Sequence, residues 1–521
     1  MPATATLAEL LAEASLDRLP RERKAGILLH PTSLPGGCGV GDLGSAAEAF
    51  LRWLAEAGQS VWQVLPLGPT GFGDSPYSLL SSFAGNPLLI SLEELVKDGL
   101  LDASDLSAQP ETDPERVDFA VAAPFKRELL GRAFEGLEAG RAPALAAELD
   151  SFRDTEGASW LDDWALFAAL KDHFGGSAWP AWEPALAHRR PTALERSRES
   201  LSREVHYHCF VQLLFARQWR NLRRLASELG IEILGDLPIY TALDSADVWT
   251  APGLWELDAA GRPLAVAGVP PDAFSEEGQL WGNPLYRWRA HREEDYAWWS
   301  RRLEASFKLA DRVRIDHFRG FAGFWRVPAQ ARTAAAGRWV RGPGRELFEA
   351  VRKRLGRPLP LVAEDLGVIT PDVRRLLAEL GFPGMKVLQF AFTEPGSDHL
   401  PHRYQANQLV YTATHDNPPA RAWFETASAA EAERVRAYLG LEAEAPVEWA
   451  LIRTAYTSVA DLAVVPLQDV LGLGEEARMN TPGREGRNWS WRLRAEQVED
   501  GTALRLRRLA EVSDRLPAEL R

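Results

Sequence analysis

The sequence predicts an α/β chain built as a (β/α)8 barrel of the TIM type, with large, mostly helical insertions after its second and third strands. Three observations predict it. Eight short apolar runs, each the length of a buried strand, are separated for the most part by segments of helical periodicity. Several of these runs end in acids or histidines, so polar chemistry gathers at one set of strand ends. The two longest interruptions follow runs two and three and leave the alternation intact on either side. A doubly wound open sheet would also alternate, but it gathers its ligands at a switch point and does not require contributions from strands one through eight.

Composition narrows the function. At 521 residues, 46% hydrophobic and 25% charged, the chain is globular and long enough for one large elaborated domain or two to three smaller ones. A net charge of -14 opposes nucleic-acid binding and suits a neutral substrate. Cys38 and Cys209 are the only cysteines, so no disulfide framework is implied. Cys209 shares an i, i+4 apolar stripe with Val205 and Leu213 and reads as helix core. Residues 1–24 form an N-terminal extension without the basic and apolar regions of a secretory leader. No run approaches the roughly 20 apolar residues that cross a bilayer, so a cytoplasmic location with no membrane partner is expected. The 19 tryptophans suit both core packing and the C–H faces of sugar rings.

Taken in order, the first strand is Ala25–His30, followed by the loop from Pro31 to Gly37 and a helix from Ser45 to Ala57 in which Ser45 and Glu48 suggest a capping box. Between them, Gly39-Val-Gly-Asp-Leu-Gly44 spells G-x-G-x-x-G. It follows a long loop instead of a tight strand-to-helix turn, and the next strand lacks a terminal ribose-binding acid, so no dinucleotide site is expected. The second strand, Val61–Leu67, runs into the polar and aromatic loop Gly68–Tyr77. From about 84 to 229 the pattern is helical and too long for a simple connection, which predicts an inserted subdomain ending in a long helix, Ser202–Glu228. The third strand, Glu232–Tyr240, precedes an irregular insertion over about 241–311, where Gly268–Pro284 reads as a lid. Strand four is the run Arg312–Gly320 with its chemistry at the tip, strand five Pro358–Gly367 and strand six Met385–Phe392. Strands seven and eight are Leu409–Asn417 and Leu462–Asp469, with helices such as Pro371–Leu380 and Ala430–Leu439 between. Residues 25–521 are thus expected to form one catalytic barrel with two insertions.

The strand ends offer Asp236, Asp316, Glu364 and Asp416 with Arg314, His317 and His415. On strand four, period two puts Arg314 and Asp316 on one face and Val313 and Ile315 on the other. A cation beside a carboxylate favours the ionised form, the state a nucleophile needs. Two chemistries use such a set: glycosidic-bond chemistry with one attacking and one protonated carboxyl group, or binuclear metal hydrolysis. The metal reading calls for His-x-His at the end of strand one, where His30 stands alone. The pair His206-Tyr-His208 falls in a helical pattern, where i and i+2 do not share a face. Carbohydrate is the favoured reading, the metal hydrolase stays the lesser alternative, and no cofactor or metal is expected.

The segments His30-Pro-Thr-Ser-Leu-Pro, Gly73-Asp-Ser-Pro-Tyr77, Ile315-Asp316-His317-Phe318-Arg319-Gly320, Ala363-Glu364-Asp365-Leu-Gly367, Thr414-His415-Asp416-Asn417 and Arg478-Met-Asn480 resemble, in this order, the amylomaltase or 4-alpha-glucanotransferase (disproportionating enzyme) family of the alpha-amylase-like superfamily. The resemblance spans nearly the whole chain. It implies a barrel related to that of alpha-amylases with no separate C-terminal β domain. It implies Asp316 as nucleophile, Glu364 as general acid and then base, and Asp416 as the residue that binds and distorts the donor sugar. The reacting carboxyl groups are then expected about 5–5.5 Å apart, with Glu364 raised in pKa and Arg314 holding Asp316 ionised. Asp236, His317 and His415 are expected on sugar hydroxyls, Tyr77 and Ser75 beside the donor sugar, Phe274, Gln279 and Trp281 in the lid, and Asn488 further along the rim. Family members commonly carry Tyr-Phe where this chain has Ala273-Phe274, and often Tyr at Phe72. Both departures bear on acceptor preference, glucan length and the balance of cyclisation against hydrolysis.

The implied activity is transfer of an alpha-1,4-glucan segment to the 4-hydroxyl of an acceptor glucan, maltooligosaccharide or glucose through a covalent glycosyl-enzyme, with cyclic glucans as possible further products. The nearest rival is an alpha-glucan hydrolase sharing the first half-reaction. A catalytically silent glucan-binding protein, the rival of another class, would not need all three acids. Oligomeric state is left open, a monomer being the simplest case.

Overall fold

The computed structural model describes residues 22–271, 276–442, 444–484 and 486–517, so Ala273 and Phe274 lie outside the described residues. Strands β1 (Lys24–Leu28), β2 (Val61–Gln63) and β3 (Glu232–Leu237) come first, followed by β4 (Ala265–Val269) and β5 (Gln279–Pro284). Then come β6 (Arg312–Ile315), β7 (Gly323–Pro328), β8 (Arg338–Arg341), β9 (Leu361–Ala363), β10 (Gly384–Val387), β11 (Gln408–Tyr411) and β12 (Leu462–Pro466).

Eight of these strands form one parallel sheet in the order β10-β11-β12-β1-β2-β3-β6-β9. The last seam is drawn together where Ala363 N–H donates to Pro383 O at 2.8 Å and Met385 N–H donates to Asp365 Oδ1 at 2.7 Å. The sheet is therefore a nearly closed (β/α)8 barrel. Its strands are apolar because both faces are covered: every residue of β9 and β12 is buried. The strands are shorter than the apolar runs that announced them. Strand six ends at Val387 and gives way to a short 3-10 turn, Leu388–Ala391, because buried side chains continue the hydrophobic run after the ladder stops. The acids of strands five and seven consequently sit just beyond the ladder, on the loops.

Helix α1 (Ser45–Glu56) is capped by Gly44, and the expected capping box is not made. Ser45 is already helical, one residue too late for its hydroxyl to cap, and contacts Glu93 Oε2 at 3.3 Å instead. The glycine run before it serves chain packing: a side chain at Gly41 would collide with Pro31 O and Leu34. The insertion after β2 is helical, with α2 (Phe119–Glu138), α3 (Pro143–Glu156), α4 (Asp162–His173) and the long α5 (Ser202–Glu228). Cys209 and Leu213 are fully buried on α5. His206 and His208 lie on the same helix, against Phe134 and Asp172 respectively.

The insertion after β3 departs from the irregular lid expected. Strands β4 and β5 pair antiparallel and join β7 and β8 in a second sheet, β5-β4-β7-β8, before and after the helix α6 (Ala297–Leu309). Helices α7 (Pro371–Leu380) and α8 (Ala429–Leu439) fall where periodicity put them. Among the described residues no helix is long and apolar enough to cross a membrane.

Gly26 of β1 lies opposite Val61 of β2, and a Cβ there would collide with the Val61 carbonyl and its side chain. Gly26→Ala is therefore expected to cost about 3 kcal/mol of stability. Urea unfolding curves measure this, and an unchanged midpoint would show that β1 can shift away from Val61 without loss.

Candidate active site

The site is assembled by the loops at the C-terminal ends of the barrel strands, around a cleft of about 1890 Å3 measured to its open mouth. At the tip of β6 the chain turns sharply: Asp316 N–H donates to Leu237 O at 2.9 Å, and His317 adopts a left-handed backbone with φ 50°. The β6–β9 ladder continues past both strands, with Glu364 N–H to Ile315 O at 3.0 Å and Phe318 N–H to Glu364 O at 3.1 Å. Asp316 and Glu364 are brought side by side in this way. Each follows directly on a register pair, Ile315 opposite Ala363.

Arg314 is 4% exposed and lies between two carboxylates. One guanidinium nitrogen donates to both oxygens of Asp236 at 2.8 and 2.7 Å, the other to Asp316 Oδ1 at 2.9 Å. Tyr77 Oη donates to Asp236 Oδ2 at 2.7 Å, and Leu237 N–H donates to Oδ1 at 2.9 Å. The Asp236 side chain is fully covered, its oxygens occupied by these three donors, where a sugar-facing acid would be open.

Arg314 stands beside Asp316 as strand periodicity implies, yet the Asp316 carboxyl still lies above the usual range. Burial raises it first; Arg314 opposes this, and the negative charges of Asp236 and Asp416 add to the rise. Its side chain keeps 32% exposure toward the cleft, which lets solvent moderate that push. Glu364 is only 9% exposed. Burial and then the charge of Asp316 push its carboxyl up to about 8, against the pull of Arg314 and of two backbone donors. Those donors are Leu366 N–H on Oε1 at 2.6 Å and His317 N–H on Oε2 at 2.7 Å.

Across the cleft, Asp416 keeps 44% side-chain exposure, with Asn480 Nδ2 donating to its Oδ1 at 2.6 Å and Arg478 donating to its carbonyl at 3.0 Å. His415 Nε2 lies 3.4 Å from the same Oδ1. The His415 ring stacks on Tyr77 at 5.0 Å, and Trp489 completes a three-ring wall at 5.9 Å from both. Ser75 Oγ accepts from Tyr77 N–H at 3.2 Å and fixes the turn that presents the ring. On the opposite side, the Trp281 indole stands edge-on to His317 at 4.7 Å, its Nε1 donating to Gln279 Oε1 at 3.2 Å. Burial, and after it Arg319, lowers His317 to about 3, so the ring is neutral. Asn488 closes its own loop, accepting from Thr481 N–H at 3.0 Å and donating to Arg484 O at 2.8 Å.

Of the residues singled out in sequence, Ser75, Tyr77, Gln279, Trp281, Asp316, His415, Asp416 and Asn488 line the cleft, and Asp236, Arg314, His317 and Glu364 stand around them. Phe274 lies outside the described residues. Phe72 is 81% exposed at the cleft rim. Sequence reading missed Trp489, Tyr240, Asn283 and the role of Asn480; only the last carried a signal, in the run Arg478-Met-Asn480. Among the described residues no three His, Cys, Asp or Glu side chains form a metal-holding group.

Comparison with known proteins gives a consistent result. A family model described as 4-alpha-glucanotransferase matches residues 29–497. The 4-alpha-glucanotransferase of Thermus thermophilus is 49% identical over 503 residues, covering 95% of this chain and 99% of the relative. That of Synechocystis sp. is 48% identical over 482 residues, covering 92% and 95%. Among solved structures, amylomaltase from Streptococcus agalactiae in complex with acarbose superposes with a TM-score of 0.92 at 40% identity, over 95% of this chain and 100% of that one. Amylomaltase from Corynebacterium glutamicum, at 20% identity and a TM-score of 0.76 over 99% of this chain and 77% of that one, shares the fold.

Because the charge of Asp236 raises Asp316, Asp236→Asn is expected to lower the Asp316 pKa. A 13C NMR titration of the aspartate carboxyls reads the shift, and an Asp316 titration that stays in place would show that Asp236 acts on Arg314 alone.

Proposed function

The chain belongs to the 4-alpha-glucanotransferase family, with transfer of alpha-1,4-glucan segments as its activity, and from that premise we propose that Asp316, Glu364 and Asp416 carry a retaining double displacement. The observation that carries this assignment is the unequal setting of two adjacent acids. Asp316 shares the buried cation Arg314, while Glu364 is pushed up to about 8 and is protonated at neutral pH.

In the first half-reaction the Asp316 carboxylate attacks the anomeric carbon of the donor sugar as Glu364 protonates the departing glycosidic oxygen. The bond to the leaving 4-hydroxyl breaks and a glycosyl ester forms on Asp316. Glu364, now a carboxylate, takes the proton of an incoming acceptor 4-hydroxyl, which displaces Asp316 and restores both acids. Retention by this route calls for the two carboxyl groups to be about 5–5.5 Å apart. Asp416, held by Asn480, offers negative charge to the cationic transition state from the other wall.

The substrate contacts follow from exposure and charge. Tyr77, His415 and Trp489 form the platform for the donor sugar. His317, neutral at working pH, exchanges a hydrogen bond with a hydroxyl without adding charge. Trp281 and Gln279 bound the acceptor side, with Phe274 and Asn488 as further contacts along the rim. Asp236 is assigned a positioning role, since its oxygens are already engaged. The barrel of residues 25–521, with insertions at about 84–229 and 241–311, works as one catalytic unit on alpha-1,4-glucans and maltooligosaccharides. Glucose serves as the smallest acceptor and cyclic glucans as products of internal transfer. Two buried, unpaired cysteines suit a cytoplasmic setting.

Incubated with pure maltotriose in the presence of a chelator, the enzyme is expected to give glucose and a ladder of longer maltooligosaccharides, resolved by chromatography. Products only shorter than the substrate would replace transfer by hydrolysis. Asp316→Asn should lower turnover by at least about 10³-fold; near-normal turnover would remove the nucleophile assignment. The pH profile follows from the signs of the shifts. Glu364 must enter protonated, so kcat/KM falls as pH rises through about 8; Asp316 must enter ionised, so it also falls at acid pH, through a value raised from the usual range. In Glu364→Gln the alkaline limb should vanish along with about 10²–10⁴-fold of the rate, and a limb that persists would belong to another group.

A further inference from the structure

A second large recess, of about 1310 Å3, lies where the inserted helices meet the barrel, and none of its lining residues belongs to the catalytic cleft. A local irregularity lies at its edge. Helix α3 passes into α4 through one π-helical turn, Gly157–Leu161, a wider winding that costs backbone hydrogen-bond geometry and recurs at functional sites. Two residues of that turn, Ser159 and Trp160, line the recess.

The floor is fixed. The Gln212 side chain on α5 forms a double hydrogen bond with the backbone of Gly85, accepting from its N–H at 2.7 Å and donating to its carbonyl at 3.0 Å. A side chain at Gly85 would collide with the ring of Phe215, which together with Trp219 provides the apolar base. The recess is therefore pre-formed, as ligand sites usually are.

Its chemistry is mixed in a specific way. The half-buried Trp160 indole is held by its Nε1, which donates to Glu156 Oε2 at 2.8 Å, and Glu156 Oε1 pairs in turn with Lys308 Nζ at 2.8 Å. A flat apolar face is thus edged by a carboxylate and an ammonium. Arg301, exposed on α6 beside them, makes no side-chain hydrogen bond or close ion pair among the described residues, and its charge acts on Glu294. An apolar ligand would strip water from these charges without replacing it. An anion would meet Glu156 and Glu304, while Arg220, Arg223 and Lys308 are already answered by Glu148, Asp311 and Glu156. A sugar chain fits both parts, its C–H faces on indole and its hydroxyls on carboxylate, guanidinium and Ser159.

We propose that this recess binds a maltooligosaccharide segment of a long alpha-1,4-glucan away from the catalytic cleft, an inference that rests on the glucan reading of the cleft. Two-point attachment raises the local concentration of long chains at the active site without changing the chemistry.

The test is a calorimetric titration of the turnover-deficient Asp316→Asn enzyme with maltoheptaose. Two classes of site are expected. Adding Trp160→Ala should weaken one class about tenfold and spare the other, and Arg301→Ala, at an exposed helix position, should weaken the same class about threefold. In the active enzyme, Trp160→Ala should raise KM for amylose at least about fivefold more than KM for maltotriose. A single class of site that both variants leave intact, or an equal change in KM for the two substrates, overturns the proposal. Absence of any maltoheptaose binding would overturn the glucan reading of the cleft itself, a result distinct from the loss of one class.

Discussion

The structure depends on one buried cation. Arg314 bridges Asp236 and Asp316, and the strand register sets it there: Arg314 of β6 lies opposite Asp236 of β3, with Asp316 two residues on along the same face. A guanidinium at 4% exposure is costly to leave unpaired, and removing one partner of such a buried pair costs about 3–5 kcal/mol. The same interaction therefore holds two strands in register and fixes the orientation of the Asp316 carboxyl. Through Tyr77, whose hydroxyl donates to Asp236, it also ties down the loop after β2. The Tyr77 ring and Asp316 are fixed to one another through a single charged group.

That cation also explains why two carboxyl groups on adjacent strands behave differently. Both are driven up by burial. Asp316 has the direct hydrogen bond to Arg314, while Glu364 faces the charge of Asp316 and feels Arg314 only at longer range. The two backbone donors on Glu364 orient it, but they do not offset the like charge beside it. The unequal settings of the two acids are thus a consequence of which one reaches Arg314.

Much of this was legible in the sequence, and the exceptions have physical reasons. Strand β6 begins where the sequence run begins, because alternation is a local signal, but it ends at Ile315, well before Gly320, since the chain turns at Asp316 and the left-handed His317. The three acids fell at strand ends, since buried parallel strands announce themselves as apolar runs. The antiparallel β4, β5, β7 and β8 did not: they are short and partly exposed, and glycine interrupts β4 and β5, so neither period stands out. Trp489 joins the ring wall only through tertiary packing against Tyr77 and His415, far away in the chain. Asp236 looked like a substrate-facing acid because sequence shows its strand position but not the three donors that occupy it.

The hairpin that replaces the expected irregular lid has a consequence for the choice between transfer and hydrolysis. Trp281 sits on β5, which pairs with β4 and is anchored to the end of β3 by Asn283 Nδ2 donating to Thr241 O at 3.0 Å. Its indole packs edge-on against His317, the residue immediately after Asp316, and lies 6.3 Å from the Tyr240 ring. An apolar surface carried on a paired strand is better held than one on a free loop. Water gains nothing from an indole face, whereas a sugar ring stacks on it, so under the proposed double displacement this wall favours an acceptor with a C–H face. Transfer over hydrolysis is then a matter of what the wall can hold in position during the life of the intermediate, and both outcomes share the same pair of carboxyl groups.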